Sequence, residues 1–151
     1  MKVLMLNGPG LASAIQQAGY DHVSLELIEQ TCIRTCQDLA LEPDFRQSAD
    51  DQQIVQWLRQ DLTSASALLI NPLSTQAAEA AGYAAALVRA LDEHAPATLP
   101  IIEVHLSNPF VDAQAQPLRP TGCNVGLLCG FGLRGYVLAI QALHRQLAAN
   151  S

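Results

Sequence analysis

Apolar residues along this chain follow two rhythms, and their alternation predicts the architecture. Short runs of Val3-Leu4-Met5-Leu6, Ala67-Leu68-Leu69-Ile70 and Ile101-Ile102-Glu103-Val104, with another over residues 124–128, read as buried strands bounded by polar or turn residues. Between them the spacing changes to that of one helical face. Leu25, Ile28, Cys32, Ile33, Cys36 and Leu39 predict a helix over about 24–40 capped by Ser24. Ile54, Val55, Leu58 and Leu62 predict a second behind Asp50 or Asp51. An alanine-rich stretch predicts a third over about 75–93. Val137, Ile140, Leu143 and Leu147 mark a terminal helix over about 132–147. Asp44-Phe45-Arg46, after Pro43, is a short strand candidate. Residues 8–23 and 92–100 read as loops, and 109–122, with Pro109, Pro117, Pro120 and Gly122, as an irregular segment that could act as a lid.

Strand and helix alternate throughout, which predicts an α/β fold: a five-stranded parallel sheet with helices on both faces, a three-layer sandwich formed by residues 1–151 as a single domain. At 151 residues the chain can bury a self-sufficient core. Half of it is hydrophobic and 15% charged, an apolar balance that predicts some surface covered between subunits. A net charge of −6, with eight scattered Lys and Arg, offers no basic stripe for phosphates, so nucleic acid is not an expected partner. Met1-Lys2 runs directly into a strand and no apolar span approaches membrane length, so a cytoplasmic protein without a membrane partner is expected. Neither Cys32 and Cys36 nor Cys123 and Cys129 have C-x-x-C spacing; no metal site is expected, and the first pair reads as small core residues.

The strand ends carry the candidate chemistry, because ligands of open α/β sheets lie at the carboxyl ends of the strands. Val104 is followed by His105-Leu106-Ser107-Asn108. Glu103, two residues before His105, shares its strand face and can fix or charge-stabilise an imidazole suited to acid–base work. A histidine held only by backbone groups is the plain structural alternative. Ser107 and Asn108 offer a hydroxyl and an amide for a ligand oxygen, and equally suit a turn. Without a G-x-S-x-G elbow, Ser107 does not fit a hydrolase nucleophile. Asn71-Pro72 starts a turn or holds a ligand, and Arg46 recognises a carboxylate or pairs with Asp50 or Asp51. Gly130-Phe131-Gly132-Leu133-Arg134-Gly135 matches a dinucleotide fingerprint. With too little chain after it for a further strand, it reads instead as a sharp strand-to-helix turn with close packing, able at most to bind an anion.

Asn7-Gly8-Pro9, Phe45-Arg46-Gln47-Ser48, Asn71-Pro72, Glu103-Val104-His105-Leu106-Ser107-Asn108 and the glycine-rich close through Tyr136 together resemble type II 3-dehydroquinate dehydratases over nearly the whole chain. The resemblance implies a flavodoxin-like fold, a homo-oligomer built as a trimer or dodecamer, no metal and no organic cofactor, and a small-molecule ligand related to 3-dehydroquinate. It also implies a reaction. A loop tyrosinate, activated by an arginine, removes the C2 proton; a histidine then protonates the leaving hydroxyl of the enolate in the shikimate or quinate pathways. By position, Tyr20 corresponds to the base, His105 to the general acid and Glu103 to its partner. Asn71, Leu106 and Ser107 correspond to substrate-binding positions, with Arg119 near the place of a carboxylate-binding arginine.

Several positions depart from that pattern. The loop before Tyr20 is shorter, Asp21 replaces a glycine, and the activating arginine falls on Ile15. No Lys or Arg occurs from Val3 to Ile33, and a tyrosine with an ordinary pKa near 10 stays protonated at neutral pH without a cation. Gly10 stands where an enolate-stabilising asparagine is expected, Ala77 where a histidine is, and Gln116 aligns with the carboxylate-binding arginine, leaving Arg119 out of register. Such stabilisers contribute several kcal/mol each, so the chain reads as a homologue that has lost efficient dehydration and keeps a ligand-binding or regulatory role. The alternative is an active dehydratase with Tyr20 as base, His105 as acid, and charge supplied by Arg119 or by Arg34 or Arg89 of a neighbouring subunit.

Overall fold

In the computed structural model, which describes residues 1–17, 23–74, 77–108 and 117–151, the strands β1 (Lys2–Asn7), β2 (Glu42–Gln47), β3 (Ala67–Asn71), β4 (Ile101–His105) and β5 (Val125–Cys129) form one sheet. All neighbours pair in parallel, in the order β2-β1-β3-β4-β5. This is the flavodoxin-like order, with every carboxyl strand end on the same edge of the molecule.

Successive side chains of a strand face opposite ways, so the apolar runs of β1 and β3 feed two cores. Val3, Met5, Ala67 and Leu69 meet helices α1 (Leu11–Gln17), α2 (Leu25–Asp38) and α5 (Leu133–Ala149). Leu4, Leu6, Leu68 and Ile70 meet α3 (Asp51–Asp61) and α4 (Ala77–His94) on the other face. The helix starts follow their caps. Ser24 accepts from the Leu27 amide, as the sequence predicts, and of the two candidates for the next cap it is Asp50 that accepts from the Gln52 amide. Cys32 and Cys36 are fully buried on α2. There burial pushes both thiols up, Cys36 to about 11, so they are inert packing groups. Among the described residues no helix is long and apolar enough to cross a membrane.

Two expectations change, and a third is covered only in part by the described residues. Residues 11–17, read as part of a loop, form α1. Its apolar positions, Leu11 buried and Ile15 packed against the same core, are too few to display a period in so short a helix. Of the segment 109–122, residues 109–116 lie outside the described residues, and 117–122, irregular as expected, are tied to the body of the fold. Arg46 pairs with neither Asp50 nor Asp51. Its guanidinium forks onto Asp44 at 2.8 and 2.7 Å, reaches Asp61 at 2.8 Å and lies 5.6 Å from the Trp57 ring centre. Asp44 is two residues away on the same face of β2, a separation that a strand closes and a helix does not.

The hydrogen bonds and charge of Arg46, helped by Lys2 and opposed by partial burial, hold the Asp44 carboxyl below its ordinary value. A depressed carboxylate contributes stability that is complete above the unfolded value near pH 4 and is lost as pH falls through the folded value. Arg46→Gln should therefore flatten the acid limb of stability. Urea unfolding of the variant is expected to change less than that of the wild type between about pH 5 and about pH 3, and parallel curves would contradict the coupling.

Candidate functional site

The carboxyl edge of the sheet carries two buried polar clusters, one on each face. On the α3/α4 face, Glu103 and His105 follow Ile101 along the same side of β4, and their side chains are almost wholly enclosed. His105 Nε2 and Glu103 Oε1 lie 2.6 Å apart, and the amide of Leu118 donates to Glu103 Oε2 at 2.8 Å. Both carboxylate oxygens thus have partners, which a buried carboxylate requires. Leu118 also buries its side chain in the α3/α4 core, so the strap of residues 117–122 is pinned by an apolar side chain and by an amide. A few residues further on, the Thr121 and Gly122 amides donate to Asp92 Oδ1, near the end of α4, at 2.8 and 2.7 Å.

On the α2/α5 face, Asn7 and Asn71 sit side by side in register at the ends of β1 and β3. The Tyr136 hydroxyl from α5 joins them, donating to Asn7 Oδ1 at 2.8 Å and accepting from Asn71 Nδ2 at 2.9 Å. Asn7 Nδ2 in turn donates to the Arg46 carbonyl at 3.2 Å. The glycine-rich turn makes this reach possible. Gly130 and Gly132 adopt φ of +85° and +55°, turning the chain between β5 and α5. At Gly135 a Cβ would lie 3.3 Å from Val104, so the helix packs directly on β4 with Tyr136 one residue later. These glycines serve helix packing, as the sequence reading expected.

Of the residues singled out in the sequence, Glu103 and His105 meet directly, whereas the Asn71 amide is directed to the opposite face and held by Tyr136. Leu106 buries its side chain in the α2/α5 core, while its carbonyl accepts from the Gly132 amide at 2.9 Å. Ser107 is exposed beside the pair, and Arg119 is exposed on the strap immediately after Leu118. Tyr20 and Gln116 lie outside the described residues, as does the side chain of Ala77. Tyr136, Leu118 and Asp92 had no assigned role in the sequence. Only Asp92 left a signal: an acidic residue in the last turn of a helix opposes the helix dipole.

The family model described as Dehydroquinase class II matches residues 1–144. The chain belongs to the type II dehydroquinase family. A 3-dehydroquinate dehydratase of Brucella melitensis is 33% identical over 144 residues, covering 93% of this chain and 87% of the relative. The crystal structure of a type II dehydroquinase from Propionibacterium acnes is similar with a TM-score of 0.74 at 25% identity, over 95% of this chain and 98% of that one. A 3-dehydroquinate dehydratase-like protein from Bifidobacterium longum matches with a TM-score of 0.63 at 28% identity, over 97% and 98% of the two chains.

The first turn, where the sequence reading expects departures from the type II pattern, is tightly packed. Gly8 and Gly10 donate their amides to the Asn71 and Leu73 carbonyls at 2.7 and 2.8 Å, lacing the turn after β1 to the segment after β3. A Cβ at Gly10 would stand 2.4 Å from the Ser74 carbonyl oxygen. The asparagine that the resemblance leads one to expect there would have to displace that carbonyl. Ile15, where the resemblance leads one to expect the activating arginine, is partly buried against the α2/α5 core. Restoring the asparagine should therefore harm the fold: Gly10→Asn is expected to lower stability by about 3 kcal/mol, measured by denaturant unfolding, and unchanged stability would show that the two segments separate readily.

Proposed function

We propose that this type II dehydroquinase homologue binds a small ligand related to 3-dehydroquinate at the carboxyl end of β4 and has lost efficient dehydration of 3-dehydroquinate to 3-dehydroshikimate. The observation that carries the reading is tight packing at two positions where the resemblance leads one to expect an asparagine and an arginine: Gly10 has no space for a side chain before the Ser74 carbonyl, and Ile15 is partly buried against the core. The cation inventory supports it. No Lys or Arg occurs from Val3 to Ile33, and the guanidinium of Arg46 is engaged by two aspartates. The described tyrosines offer no substitute base, since burial pushes the phenols of both Tyr83 and Tyr136 up, away from ionisation. Proton abstraction would fall to Tyr20 without a cation nearby in sequence.

The acid half of the mechanism is better furnished. With Nε2 engaged by Glu103, His105 would deliver a proton through Nδ1, and the exposed Ser107 and Arg119 would meet a ligand's hydroxyl and carboxylate. That arrangement favours the second reading, an active hydro-lyase with Tyr20 as base, His105 as general acid, Glu103 as its partner and Asn71 and Leu106 completing the binding surface. In either reading the protein works without metal or organic cofactor. The exposed Leu127, Phe131 and Leu138, on or just after the free edge strand β5 and on α5, support a homo-oligomer, a trimer or the dodecamer built from trimers.

One assay separates the two readings. Purified protein mixed with dehydroquinate is followed by the conjugated enone absorbance of dehydroshikimate and, in parallel, by thermal unfolding. Stabilisation by dehydroquinate with no enone formed is the expected result. Turnover that disappears in both Tyr20→Phe and His105→Ala would overturn the loss of activity, and absence of both turnover and stabilisation would remove dehydroquinate as the model for the ligand.

A further inference from the structure

The last turn of α4 carries an exposed aspartate where the helix dipole disfavours negative charge, and the structure shows what holds it there. Asp92 Oδ1 accepts two successive backbone amides, Thr121 and Gly122, and Oδ2 lies 3.5 Å from the Thr121 hydroxyl. Gly122 fits the site closely, since a Cβ there would come within 3.3 Å of Oδ1. From this latch back to Leu118 the chain is only Leu118-Arg119-Pro120-Thr121. The proline fixes its own φ and confines Arg119 to extended backbone, so position is transmitted along the strap instead of being absorbed by it. At its other end the Leu118 amide holds Glu103, and Glu103 holds His105.

We propose that Asp92 is a positioning residue for the Glu103–His105 pair: by latching residues 121 and 122 to α4 it keeps the Leu118 amide on the carboxylate and Arg119 at the rim. Its role in turnover rests on the reading of His105 as the proton donor; its role in holding the strap does not. The latch sets whether the pair is closed off from water. When it opens, Glu103 exchanges a protein donor for solvent, and the ring proton shared between His105 and Glu103 becomes free to exchange.

The test is amide hydrogen exchange at Leu118, together with the downfield proton resonance of the His105 ring N–H, in wild type, Asp92→Ala and Asp92→Asn. In Asp92→Ala the Leu118 amide should exchange roughly tenfold faster or more, by local opening, and the ring resonance should broaden. Amides of Leu4 and Leu69 should change far less. Asp92→Asn keeps an oxygen at the latch and should restore most of the protection. Wild-type exchange and an unbroadened ring proton in Asp92→Ala would overturn the proposal. So would acceleration by one common factor at Leu118, Leu4 and Leu69, which would mark a general loss of stability. None of these readouts depends on dehydroquinate reacting, so an inactive protein leaves the latch fully testable.

Discussion

The Tyr136 hydroxyl is the point on which the carboxyl edge of this protein is organised. It ties the last helix to the ends of the two central strands through Asn7 and Asn71, all three side chains buried. In an apolar interior each such group costs about 1–3 kcal/mol if left without a partner, so the three side chains demand one another's positions. The close approach of α5 at Gly135, the turn at Gly130 and Gly132, and the amide orientation of Asn71 are consequences of that demand. A phenol this enclosed is kept neutral by burial and serves as donor and acceptor at once.

The same edge then divides by face. Toward α2 and α5 the polar groups are consumed in holding the sheet together, and the neighbouring first turn is sealed by glycine-to-carbonyl contacts and by Ile15. Toward α3 and α4, Glu103 and His105 form a buried pair through Oε1 and Nε2, with Ser107 exposed two residues after His105 and Arg119 exposed immediately after Leu118. Type II chemistry needs a base and enolate stabilisers as well as an acid. The residues of this chain favour the acid half, and at Gly10 any side chain would meet the Ser74 carbonyl.

Most of the fold was legible because it rests on apolar period, and period survives divergence. The strands, the caps at Ser24 and Asp50 and the buried cysteines of α2 all follow from local pattern. Helix α1 was not legible, since seven residues with two inward positions are too short to show a period. The Glu103–His105 contact was readable from strand alternation alone. The Arg46 pairing was not: Asp61 is distant in sequence, and only the fold brings it to β2. Nor could sequence order reveal that Asn71 and His105 face opposite ways, or that the Leu118 amide completes Glu103, because those facts depend on the register between neighbouring strands and on a contact between residues 15 apart.

The central claim is that proton donation has outlasted proton abstraction in this chain, and exchange at the substrate's C2 position isolates abstraction from every later step. Dehydroquinate is incubated with the protein in D2O, and deuterium at C2 is followed by proton NMR. The account predicts exchange no faster than in buffer alone, even while the ligand raises the unfolding temperature. Stereospecific C2 exchange accelerated by the protein and abolished by Tyr20→Phe would contradict it, because a working base would then be present without the cation and asparagine on which the reading depends.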